Sequence, residues 1–176
     1  MMKLVFPNIR YKEKAIDFIK EMREHGSEIN GTGGLDRFLT ESDYESWLDN
    51  VISYIDIINV KENKVPALTY FYVREEDDKI IGMINTRLSL NDNLRKEGGH
   101  IGYSIRPTER NKGYATKMLT DTLKIYDTLG IKKVYLTCDK SNIASAKVIQ
   151  KCNGILEEEF YSSNYNTIVQ RYYILR

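Results

Sequence analysis

Apolar and polar positions alternate along this chain with two periods, and their order outlines a fold. Lys3 to Phe6 is a short apolar run closed by Pro7, which reads as an opening strand. From about residue 11 to 25, Ala15, Ile16, Phe18, Ile19 and Met22 mark one face of an amphipathic helix. Gly26 to Thr40 breaks the period and reads as a long polar loop around Gly31, Gly33 and Gly34. Thr40 with Asp43 reads as the cap of a helix through about Ile57, with Trp47, Leu48, Val51, Ile52 and Ile55 as its stripe. Pro66 to Arg74 and Lys79 to Leu90 are aromatic and β-branched, and the charged turn between them predicts a hairpin. Gly82 predicts a bulge or a close backbone approach in its second strand.

The second half is more regular. Asn91 to Gly99 is a polar connection with room for one helical turn, and His100 to Ile105 is a strand. Ala115, Met118, Leu119, Thr122, Leu123 and Tyr126 then recur at helical spacing until Gly130, which suits a C-terminal cap. Val134 to Cys138 predicts a strand, Asn142 to Lys151 a helix, and Ile155–Phe160 with Ile168–Leu175 a final hairpin. The predicted order is β-α-α-β-β-β-α-β-α-β-β, an α/β (mixed α+β) arrangement.

The length suits one domain over residues 1–176. With 26 basic and 25 acidic residues the net charge is only +1, which argues against a nucleic-acid or membrane-surface partner. No apolar run is long enough to span a membrane. The two cysteines, Cys138 and Cys152, lack metal-ligand spacing, and no metal is expected. With no signal-peptide pattern, the composition points to the cytoplasm.

Chemistry concentrates between Gly102 and Thr116. A strand runs to Ile105, Pro107 stops it, and a helix begins near Gly113. The first turn of a helix carries unpaired N–H groups and partial positive charge, so a strand–turn–helix of this kind can seat an anion. Gly113 lets a bulky anion approach the backbone, and Arg110 and Lys112 add full charge. The dinucleotide fingerprint and the P-loop are both absent. Gly31-Thr-Gly-Gly34 is read as a flexible surface loop, because no strand feeds it and no Lys-Ser/Thr follows.

The turn resembles the pyrophosphate motif R/Q-x-x-G-x-G/A of the GCN5-related N-acetyltransferases (GNAT), with Arg110, Gly113 and Ala115 in place and Pro107 ahead of them. Asn142, Ser145, Val148 and Lys151 resemble that family's next motif, although its glycine comes one residue late, at Gly154. The resemblance covers about residues 66 to 160. It implies the GNAT fold, a central twisted mixed β-sheet with helices on both faces, in which two central parallel strands splay apart around the cofactor. It implies transfer of an acetyl group from acetyl-CoA to a primary amine, by direct attack in a ternary complex, with no metal. The acceptor would be a small molecule or a peptide, and a homodimer is left open.

The resemblance also distributes roles. The N–H groups of Asn111, Lys112, Gly113, Tyr114, Ala115 and Thr116, with Arg110, would hold the pyrophosphate. The Ile105 amide would steady charge on the thioester oxygen. Asn142 and Ser145 would meet the pantetheine arm, and Asn142 is equally read as a helix cap. Strand alternation places His100, Gly102 and Ser104 on one face, which makes His100 a candidate base; Glu109 and Asp139 are weaker ones. Many members carry a Tyr that protonates the leaving thiolate, at the position of Ile149. Tyr103 is the first substitute considered, before Tyr161 and Tyr172. Cys138 would need a neighbouring His to act as a nucleophile, so a buried structural cysteine is expected. Two alternatives remain: a catalytically silent CoA-binding sensor, and a protein N-terminal acetyltransferase resembling the ribosomal-protein type. The Gly26–Thr40 loop is expected to border the acceptor and to move.

Overall fold

The computed structural model describes residues 1–176. Strand β1 (Met2–Val5) is followed by helices α1 (Lys12–Glu24), α2 (Leu35–Glu41) and α3 (Tyr44–Ser53). Strands β2 (Ala67–Arg74) and β3 (Lys79–Arg87), the short helix α4 (Asp92–Lys96) and β4 (Ile101–Ile105) come next. Helix α5 (Tyr114–Thr128), β5 (Lys133–Asp139), α6 (Ile143–Lys151), β6 (Ile155–Ser162) and β7 (Thr167–Leu175) complete the chain. This is the expected order with one helix more in the first third and the short α4 in the Asn91–Gly99 connection.

The strands form a four-stranded sheet, β1-β2-β3-β4, and a three-stranded sheet, β5-β7-β6, each antiparallel throughout. They meet at one end only, where Gly99 bridges Leu136 and the His100 amide donates to Tyr135 O at 2.7 Å. Beyond that point β4 and β5 part. Period-two alternation in β2 serves two cores: Phe71 and Val73 pack with Phe18, Met22 and Trp47 beneath α1 and α3, while Tyr72 joins Met118, Leu123 and Ile149 beneath α5 and α6. Burying each of these side chains contributes roughly 1.5–3 kcal/mol.

The Gly26–Thr40 expectation needs correction. Its second half is helical, because Leu35, Phe38 and Leu39 repeat at helical spacing and Leu35 is fully buried. Its first half is pinned. Trp47 Nε1 donates to Thr32 O (3.0 Å) and Gly33 O (3.2 Å). Ser104 Oγ donates to Asn30 O (2.7 Å) and accepts from Asn30 N (2.8 Å). Gly31 lies so close to β4 that a Cβ on it would stand 2.3 Å from Gly102 O. The α3 cap is Asp43, which accepts from Ser46 N at 2.7 Å, and Thr40 belongs to α2 instead.

Arg106 fixes the far end of β4. It is 1% exposed; its Nη1 donates to Asp17 (2.9 Å) and Glu21 (2.6 Å) on α1, and its Nε to Ile80 O (2.9 Å). Glu21 also accepts from the Thr108 amide and hydroxyl, which ties down the turn ahead of α5. Burial alone would raise the Glu21 carboxyl, but hydrogen bonds from Arg106 and Thr108 outweigh it and hold it at about 2. Because that value lies below the ordinary 4.5, the stabilisation is complete above 4.5 and fades as pH falls toward 2. Glu21→Ala should therefore destabilise the fold by about 3 kcal/mol at neutral pH, since it strips a partner from a buried cation. Denaturant titrations at pH 7 and at pH 3 check this; equal losses at both would show that the carboxylate's charge is irrelevant.

Candidate active site

The turn from Pro107 to Gly113 delivers what its sequence pattern suggested. Asn111 and Gly113 both take left-handed backbone angles, φ 62° and 79°, and Gly113 caps α5 with no side-chain acceptor. No hydrogen bond inside the chain uses the amides of residues 111 to 116, and the first amide of the region with a partner is that of Lys117. A Cβ built on Gly113 would meet nothing within 4 Å. The result is an open concavity of oriented N–H groups at a helix N-terminus, suited to a diphosphate.

The side-chain charges are arranged differently from expectation. Arg110 turns back: its Nε donates to Ile105 O (3.2 Å) and its Nη2 to Ser27 Oγ (3.0 Å). Lys112 Nζ is paired at 2.9 Å with Glu109, which also binds Arg74 at 3.2 Å. Glu109 is buried, which would raise its carboxyl, but hydrogen bonds from Lys112 and Arg74 hold it below its ordinary value. It is fully engaged and has no capacity to serve as a base. Asp139 is likewise committed to the Ser141 amide and hydroxyl, at 2.6 Å each.

The parting of β4 from β5 exposes backbone donors. Arg87 N donates to His100 O and Arg106 N to Ile81 O, so the even-numbered residues of β4 bond to β3. Alternation turns the amides of Tyr103 and Ile105 toward the gap, where no strand receives them. Tyr103 also sends its side chain there, and its hydroxyl meets Ser145 Oγ on α6 at 3.0 Å. Burial pushes that hydroxyl up to about 12. Asn142 is the α6 N-cap, accepting from Ser145 N at 3.0 Å. Ile149 is buried in the core, Tyr161 is exposed, and buried Tyr172 bonds to Gln170 at 2.8 Å. Of the tyrosines considered, Tyr103 alone reaches α6 from β4.

His100 does not lie on the face shared by Gly102 and Ser104. The chain bends there, before β4 begins, and the imidazole stacks on Tyr135 (6.1 Å, 12°) and meets the edge of Tyr126 (5.6 Å, 78°). Its Nδ1 accepts from the Tyr135 amide at 2.9 Å. Burial, with Arg87 and Arg95 nearby, lowers its pKa to about 4. A ring whose acceptor nitrogen is already used, and which resists protonation, is a staple between the sheets and a poor base.

A cavity of about 400 Å³ between α4 and the β6–β7 turn is lined by Asn93, Lys96, Glu97, Asn164 and Tyr165. Its lining of polar side chains suits a surface indentation.

A family model described as an acetyltransferase (GNAT) domain matches residues 19–154. No curated protein sequence matches the chain. Similar solved structures include the microcin C7 self-immunity acetyltransferase in complex with acetyl-CoA and AMP, at 19% identity and TM-score 0.70, covering 99% of this chain and 92% of that one. The ribosomal-protein-S5-alanine acetyltransferase from Vibrio fischeri gives 16% identity and TM-score 0.72, covering 99% and 91%. The spermidine/spermine N-acetyltransferase from Vibrio cholerae gives 15% and 0.60, covering 99% and 95%. At these identities the likeness speaks for the fold.

Both thiols are quiet. Burial pushes Cys138 up to about 11 and raises Cys152, and neither has a histidine among its hydrogen-bond partners. Native protein at pH 8 should alkylate with iodoacetamide at least about 100-fold more slowly than a free cysteine. Mass spectrometry after a timed exposure measures this; rapid labelling of Cys138 would reopen a covalent route.

Proposed function

This chain belongs to the GNAT acetyltransferase family and is an acyltransferase, and from that premise we propose that it uses acetyl-CoA to acetylate a primary amine by direct attack in a ternary complex. The observation that carries the reading is the pairing of two features on one element junction: unpaired amides at residues 111–116, and the open edge of β4 immediately before them. The group fits the residues present. Amides 111–116 would hold its pyrophosphate, with the open space above Gly113 admitting it. Asn142 and Ser145, on the α6 side of the gap, would flank its arm. Acetyl-CoA supplies an acetyl group activated as a thioester.

The chain's own residues then have two tasks. The Ile105 amide is a fixed donor at the mouth of the gap, and a preorganised donor of this kind is worth roughly 3 kcal/mol where negative charge develops on oxygen. Arg110 and Arg106 keep it there by holding the Ile105 carbonyl and the next residue. Tyr103 keeps its proton at about 12 and so serves a departing sulfur by hydrogen bonding. Full proton transfer to a thiolate whose own pKa is near ~8.5 is uphill. His100, whose Nδ1 already accepts from the Tyr135 amide, has no part in this scheme. The cysteines stay spectators.

Calorimetric titration with acetyl-CoA, run beside thiol-release assays on a panel of amines, tests the reading. Gly113→Val should weaken acetyl-CoA binding at least about tenfold, because the branched side chain would fill the diphosphate's seat. It should cost the fold only about 1–2 kcal/mol for the left-handed angle, since nothing in the protein obstructs the new side chain. Unchanged affinity would reduce the turn to a connector.

Tyr103→Phe separates the second task. It should lower kcat by about tenfold, the value of one hydrogen bond to a charged atom, and leave acetyl-CoA affinity unaltered. The shape of the pH–rate profile should survive, because Tyr103 stays protonated throughout the working range. A profile that loses its basic limb would mean that the hydroxyl does give up its proton.

A further inference from the structure

Arg87, the last residue of β3, is a half-buried cation that no carboxylate in the chain neutralises. It lies on the face of the sheet shared by Asn85 and by Gly102, which is paired with Asn85 across the register. Its Nη1 donates to Gly98 O (3.1 Å) and Gly99 O (2.9 Å), while Nε and Nη2 have no partner. No carboxylate lies within ion-pair distance, although burial is strong enough to lower its pKa. The contrast with the other half-buried or buried arginines is sharp. Arg106 holds Asp17 and Glu21, Arg74 holds Asp77 and Glu109, and Arg171 holds Glu157 and Glu158.

The free side of the guanidinium fork has a definite position. Nη2 stands 3.9 Å from where a Cβ on Gly102 would be, beside the place where Gly31 of the pinned loop meets β4. Gly102 immediately precedes Tyr103, whose amide opens into the parting. On the other side, the exposed Tyr165 of the β6–β7 turn lies near Arg87. Arg87 thus lies where the loop after α1, the start of β4 and the last hairpin converge. A half-buried guanidinium whose Nε and Nη2 N–H groups are unused and open to solvent is a recogniser of a carboxylate or phosphate and a barrier to a second cation.

We propose that Arg87 is a specificity-determining residue that binds an oxyanion, a carboxylate or a phosphate, carried by the amine acceptor. This deepens the acetyl-transfer reading above and rests on it. An acceptor that is an amine at one end and an anion at the other is favoured, and polycationic amines are disfavoured.

The test uses the full chain, acetyl-CoA and matched acceptors: alanyl-glutamate against alanyl-glutamine, O-phosphoethanolamine against ethanolamine, and spermidine. Wild type should show the lower KM for the anionic member of at least one pair; the pair that responds identifies the oxyanion. Arg87→Met should raise that KM about 10- to 100-fold and leave the neutral partner's KM and acetyl-CoA affinity unchanged. Arg87→Lys, which keeps the charge and loses the fork, should recover part of the loss. If Arg87→Met does not fold, the wild-type ratio within each pair and the Arg87→Lys variant still decide. Preference of wild type for spermidine, or an equal loss on every amine, overturns the role of Arg87 while acetyl transfer stands. Absence of thiol release with every amine, together with no acetyl-CoA binding, overturns both.

Discussion

The parting of β4 from β5 is the constraint on which the rest of this structure depends. Two adjacent strands with unused amides normally close on each other, because each buried unpaired amide is costly. Here the seam is made at one end by His100 and Tyr135, which exchange a hydrogen bond from each backbone amide. At the other end β4 is drawn away. Arg106, buried and bonded to Asp17 and Glu21, anchors it to α1, and Arg110 grips the Ile105 carbonyl. A hinge and two tethers hold the strands open, and the amides of Tyr103 and Ile105 stay available for a ligand.

That arrangement explains why the electrostatics of the anion seat differ from a simple sum of charges. Lys112 and Arg74 are both spent on Glu109, whose carboxylate is buried among them. Arg110 is spent on the Ile105 carbonyl and the Ser27 hydroxyl. What remains directed at an anion is the set of amides from 111 to 116, fixed in place by the left-handed angles at Asn111 and Gly113. Backbone dipoles already oriented need no reorganisation when an anion arrives, whereas flexible lysines must be ordered. The charged residues of the motif therefore act mainly by shaping the turn. This also fits a chain of net charge +1, whose local fields are built from pairs.

Most of the fold was legible in the sequence because local signals and packing agree there. The period of α1, α5 and α6, the aromatic hairpin β2–β3, and the motif around Gly113 each depend on residues close in sequence. Two placements, of the glycine loop and of the His100 ring, were not legible because a distant partner decides them. Glycines at 31, 33 and 34 suggested mobility, but Trp47 and Ser104 clamp them from elsewhere in the chain. The Leu35, Phe38 and Leu39 spacing of α2 was the available signal, and it was masked by its glycine-rich neighbour. His100 was placed by strand alternation, yet the strand starts one residue later and the ring packs against Tyr126 and Tyr135. Arg87 and Arg106 look alike in sequence; only the fold shows that one is paired and the other is not.

The residue at 149 brings these threads together. An isoleucine there is fully buried in the core formed by α5, α6 and β5, so this chain has no hydroxyl on that turn of α6. Tyr103 reaches the same helix from the opposite wall and meets Ser145 one turn earlier. The substitution of an apolar group on one wall and a hydroxyl on the other preserves a donor in the gap but changes its character. A phenol desolvated against the core that α5 and α6 cover is held as a neutral donor, and its contribution is limited to a hydrogen bond that strengthens as charge accumulates on its acceptor. For a leaving group as stable as a thiolate, the proposed reaction asks no more of it. Under the proposed acetyl transfer, the chemistry left to the protein is mainly geometric: to keep β4 open and the amides of Tyr103 and Ile105 aimed into the gap.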